Sequence, residues 1–96
     1  MRIAEIVGTV TLNRCHGSFV GARLRLAVPL SLANLSGREQ PSADEMVLWD
    51  GVGSGIGSRV AMSEGAEAAQ PFRPEIKPVD AYAAALLDEI NIHINE

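Results

Sequence analysis

With a single cysteine, Cys15, the chain cannot form an internal disulfide, so its stability must come from packing. Aromatic residues are scarce too: Phe19, Trp49, Phe72 and Tyr82 are the whole set, 4% of the chain. Small aliphatic side chains must therefore fill most of any core. The longest purely apolar run, Ala81 to Leu87, is far short of the roughly 20 residues that cross a bilayer as a helix. Positive charge is also lacking. Against 12 Asp and Glu stand 8 Lys and Arg, a net charge of −4 and a pI near 5.1, which argues against a protein whose task is to neutralise phosphates. No charged-then-apolar leader opens the chain, so a cytoplasmic location is expected. At 96 residues the chain fits one small module with a marginal core, and burial against identical copies is a common supplement.

What is present is a set of short β-patterns. Ile6, Gly8, Val10 and Leu12 alternate with Thr9 and Thr11, the period of a half-buried strand. The period returns in Arg23 to Leu30, where Leu24, Leu26, Val28 and Leu30 are expected inside and Arg23 and Arg25 outside, with Pro29 near the strand's end. Residues Ser31 to Asp44 read as a surface loop. Glu45 to Asp50 reads as a third strand covered on both faces, and Ser58 to Ser63 as a fourth. Pro71, Pro74 and Pro78 make the stretch from Glu64 to Pro78 irregular and exposed. Asp80 then suits a helix start, with Ala83, Leu86, Leu87 and Ile90 on one helical face. Ile90, Ile92 and Ile94 alternate with polar residues as a closing strand. Short strands and one helix in so little chain suit a small barrel of the OB-like class.

The densest feature is Asp50-Gly51-Val52-Gly53-Ser54-Gly55-Ile56-Gly57, with glycine at every second position. In extended backbone this leaves one face bare, which admits another backbone, a ligand or a neighbouring subunit. A phosphate-cradling loop is a poor fit. The spacing is GxGxG without the third glycine of GxGxxG, no GxxxxGK[ST] occurs, and the residues that follow read as a strand where a dinucleotide loop must open a helix.

No constellation for catalysis emerges. Cys15-His16 lacks an orienting third group, and the other histidine, His93, falls on the polar side of the last pattern, so neither a nucleophile nor a zinc site is expected. Asp50 and Asp80 flank turn and helix starts, where a carboxylate accepts backbone N–H bonds. Arg23 and Arg25 read as a solvated outer face.

The order Ile6-Val7-Gly8-Thr9-Val10, then Leu24 to Leu30, then the glycine block, then Pro78-Val79-Asp80-Ala81 resembles the bacterial microcompartment vertex proteins of the EutN/CcmL type. The pairing of D-x-V-G-x-G-x-G with a downstream P-V-D-A is its most specific element. The resemblance runs along nearly the whole chain and implies one vertex domain over residues 1–96, a mainly β, five-stranded barrel with a short α-helix near the C-terminus. It also implies a homopentamer that caps a shell vertex beside hexameric shell proteins, with no catalysis, cofactor or metal. On that reading Asp50, Gly51, Val52, Gly53, Ser54, Gly55, Ile56 and Gly57 lie at the subunit contact or central opening; an ordinary hairpin turn within one subunit is the alternative. A monomeric or dimeric OB-like binding module is the alternative function. Where the family often carries serine and arginine after the fourth strand, this chain has Gly65-Ala66-Glu67-Ala68-Ala69-Gln70 and no arginine before Arg73.

Overall fold

The computed structural model describes residues 1–93. Strands β1 (Arg2–Val10), β2 (Leu24–Pro29), β3 (Met46–Asp50), β4 (Arg59–Glu64) and β5 (Ala81–Leu86) close into a barrel in the order β1-β2-β3-β5-β4. All neighbours are antiparallel except β3 and β5, which run parallel and pair only through Trp49 with Tyr82 and Asp50 with Ala83. Five strands in an OB-like closed barrel were expected from the sequence and are found. Closure leaves no free sheet edge for stray pairing.

The interior is narrow, and that decides which residues face it. The buried core is Ala4, Ile6, Ala27, Leu48, Val60, Met62, Ala81 and Ala83, with Met46 and Val52 packed against it. Half of those eight are alanine, because a five-stranded barrel has little room inside. This reverses the expected face of β2. Ala27 belongs to the core and Arg25 shares its face, while Leu24, Leu26 and Val28 lie on the other side. The amphipathic reading fails here because it sends the larger apolar residue inward. In β1 a bulge between Ile6 and Gly8 shifts the register with β2, which continues through Val10, and leaves Val7 exposed.

The expected C-terminal helix is absent: the segment after Asp80 is β5, and Asp80 starts no helix. Alanine favours helix intrinsically, but alternate alanines also suit a strand whose inner face must be small, and closure between β3 and β4 wins. The expected closing strand is not formed over the described residues 87–93, and Ile94 lies outside them. The α-helix is instead one turn, α1 (Leu32–Leu35), inside the expected loop, where Ser31 and Asn34 form a reciprocal capping box. The stretch after β4 is also more ordered than expected: Gly65–Phe72 is a 3-10 helix that buries Ala68 completely.

All four aromatic residues gather outside the barrel, over the parallel β3–β5 seam. Trp49 lies 5.8 Å from Phe19 and 4.7 Å from Phe72, which meets Tyr82 edge-on at 5.5 Å. Lys77 Nζ sits 5.2 Å from the Trp49 ring centre and donates to the Ser18 carbonyl at 2.7 Å. This satellite cluster holds the β1–β2 and β4–β5 connections against the two-residue seam. Arg2 ties the start of β1 to the end of β4 through two hydrogen bonds to Glu64, at 2.7 and 2.6 Å. Those bonds hold the Glu64 carboxyl below the usual carboxylate value and raise Arg2 above its own.

Candidate functional site

The glycine block turns the chain from β3 into β4, as its glycines lead one to expect, and does so as a turn-rich loop and not as an extended segment with one bare face. Its geometry starts at Asp50, whose side chain is fully buried at the end of β3. One carboxylate oxygen accepts from the Val52 N–H at 3.0 Å and the other from the Ser54 N–H at 2.9 Å. Two backbone donors on one carboxylate fold the chain back immediately after the strand. Arg25 Nε lies 3.3 Å from the second oxygen and donates to the Ser54 carbonyl at 3.1 Å. Arg25 is thus an inward anchor of the loop. The expectation of a solvated outer face is corrected, and the physical reason is the buried charge that it neutralises.

The far end of the loop is fastened to β1. Gly57 N–H donates to the Ile6 carbonyl and Ile6 N–H to the Ser58 carbonyl, both at 2.8 Å. Between these anchors Ser58 N–H bonds the Gly55 carbonyl at 2.9 Å, and Gly55 N–H bonds Ser58 Oγ at 3.1 Å. The loop is therefore held at both ends and across its tip.

The four glycines answer different demands. Gly53 and Gly57 have φ of 75° and 90°, which side-chain-bearing residues rarely adopt. A Cβ on Gly51 would lie 3.0 Å from the Tyr82 hydroxyl, so that position is limited by close approach. Gly55 has neither constraint: its φ is not positive, and a Cβ there would meet nothing within 4 Å. Beside it Ile56 is 74% exposed, and Val7 follows the Ile6 to which the loop is tied. Ser54 is buried, and its hydroxyl finds no hydrogen-bond partner among the described residues.

Other singled-out residues do not join this site. His16 accepts from the Ser18 N–H and so caps the 3-10 turn Gly17–Phe19, beside an exposed Cys15. Among the described residues no group of three or more His, Cys, Asp or Glu could hold a metal ion. Asp80 precedes β5 and lends its carbonyl to the Gly65 N–H at 2.9 Å. Among the described residues no helix is long and apolar enough to cross a membrane. Two elements escaped the sequence reading, Arg25 as the loop anchor and the aromatic cluster with Lys77. The only sequence signal for the first was an arginine alternating with leucines, which has the same appearance on either face of a strand.

Comparison with known proteins agrees along nearly the full length. The family model described as ethanolamine utilisation protein EutN/carboxysome matches residues 1–88. The carboxysome shell vertex protein CcmL of Gloeobacter violaceus is 33% identical over 92 residues, which cover 96% of this chain and 87% of that protein. The corresponding protein of Synechococcus elongatus is 30% identical, covering 96% and 88%. The solved structure of Gloeobacter violaceus CcmL superposes with a TM-score of 0.83 at 32% identity, covering 96% of this chain and 90% of that one. GrpN, a pentameric microcompartment shell protein from Rhodospirillum rubrum, shares the fold with a TM-score of 0.79 at 23% identity, covering 98% and 100%. These relatives are structural shell proteins and not enzymes. The chain belongs to the EutN/CcmL family of microcompartment shell proteins.

Proposed function

We propose that the chain, as one domain over residues 1–96, is a structural shell protein that assembles as a homopentameric ring and caps a vertex of a bacterial microcompartment in the cytoplasm. The observation that carries this reading is 33% identity to a carboxysome shell vertex protein across 96% of the chain. Hexameric shell proteins are its expected neighbours at the rim.

A closed ring is a head-to-tail assembly, so each subunit needs two different surfaces that complement one another. The loop from Asp50 to Gly57 is placed on one of them. Two features support this. Ile56 presents an apolar side chain on a loop fastened by its own buried ion pair, so it meets a neighbour with little ordering cost. Gly55 has no need within its own subunit to be glycine, which fits a close approach by another one.

Gly55→Val and Ile56→Asp test the placement. Each alters an exposed position, so each subunit keeps its barrel while the ring dissociates in sedimentation at micromolar concentration. A ring that survives both substitutions would remove the loop from the contact.

A further inference from the structure

A second feature, unrelated to the glycine loop, lies where the β1–β2 connection meets the residues that lead into β5. A cavity of about 350 Å³ opens there, with Leu24, Val47 and Trp49 among its apolar lining. Its size is within the range of small-molecule sites, which are apolar with a few polar groups converging on them. Its position also matters. In OB-like barrels the face of strands 2 and 3, flanked by the 1–2 and 4–5 connections, is the usual ligand surface, and this cavity is built from those parts.

Two opposite charges line it. Arg14 comes from the β1–β2 connection and Asp80 from the approach to β5. Both are exposed, and like Arg23, Arg38 and Arg73 they form no ion pair among the described residues. A guanidinium and a carboxylate that line one cavity together with apolar side chains match a small molecule that carries both charges and an apolar body. A polynucleotide, the other familiar ligand of such a face, is disfavoured by the net charge of −4.

We infer that this cavity binds a small zwitterion with an apolar side chain, of the leucine class. Arg14 takes the carboxylate, Asp80 takes the ammonium, and the side chain lies on Leu24 and Trp49. This inference does not rest on the ring contact proposed above.

The chain's one tryptophan and one cysteine both line the cavity, so the assembled wild-type protein carries its own reporters. L-leucine should change the Trp49 fluorescence saturably in the millimolar range and slow the reaction of Cys15 with a thiol reagent. Leucine without its amine (4-methylpentanoate) and without its carboxylate (3-methylbutylamine) should each bind about two- to fivefold more weakly, as for partly exposed ion pairs. Arg14→Gln should weaken leucine and 4-methylpentanoate but leave 3-methylbutylamine unchanged; Asp80→Asn should weaken leucine and the amine only. This crossed pattern is one that general damage to the fold does not produce. No saturable signal at tens of millimolar, or affinities indifferent to both substitutions, would overturn the assignment. So would a Cys15 that reacts only after the ring is dissociated, because a neighbouring subunit would then cover the cavity.

Discussion

Replacing Asp50 by Asn keeps the shape of the side chain and removes its charge at the anchor of the glycine loop. The carboxylate receives two backbone N–H bonds and faces the Arg25 guanidinium. The amide has one acceptor oxygen, so it can keep only one of the two backbone bonds, and its NH₂ group must face the other N–H. Losing one partner of a fully buried ion pair costs about 3–5 kcal/mol. Arg25 retains 21% of its side-chain exposure and can turn partly to water, which reduces the expected loss to about 2–4 kcal/mol. For a chain of 96 residues, each kcal/mol lowers the melting temperature by about 4–8 °C, so a fall of at least about 8 °C is expected. Circular-dichroism melts of wild type and variant at matched protomer concentration measure it, since association also raises the midpoint. Arg25→Ala and the double variant complete a cycle in which the two losses should be far from additive. A variant melting within about 2 °C of wild type, or additive losses, would refute the view that this pair holds the loop.

Ser54→Ala should be neutral or stabilising by up to about 1 kcal/mol, because it removes a buried hydroxyl without a partner; a loss above that in denaturant titration would show that the hydroxyl is bonded. Ala83→Leu, at a fully buried position in the narrow interior, should cost at least about 1–3 kcal/mol by overpacking in the same assay, whereas a tolerated leucine would contradict the account of the interior. Glu64→Gln should lose less than about 1 kcal/mol at neutral pH, since Arg2 and Glu64 are both partly solvated. The Glu64 carboxyl is depressed in the folded state, so its contribution is complete above the unfolded-state value and fades as pH falls through the folded one. The difference between wild type and Glu64→Gln should therefore close on acidification, and a gap that widens would contradict the sign.

Four of the five strands were legible from the sequence in place, as Met46–Asp50 and Arg59–Glu64 show, but the alternation of Ile90 and Ile92 also read as a strand and forms none over the described residues. The strand built from alanine was not. Ala81–Leu86 carries the residue with the highest helix propensity, and only the narrowness of a closed barrel, a property of the whole fold, makes it a strand. The inward face of β2 was misread for the same reason: Ala27 fits inside where Leu26 would be crowded. At the candidate site, Asp50 was legible as a turn-former because a carboxylate before glycines has an obvious use, folding the backbone onto itself. Arg25 was not, because its partner lies 25 residues away and nothing local links the two. The glycine run was legible as a demand for special backbone, but local pattern could not separate Gly53 and Gly57, which need positive φ, from Gly55, which does not.

The central claim is a ring of five identical subunits, and native mass spectrometry of the purified wild-type protein tests it most directly. The account predicts a dominant species of five times the 10.2 kDa of one chain, persisting at micromolar concentration. A protein that remains a monomer or dimer at that concentration would contradict it.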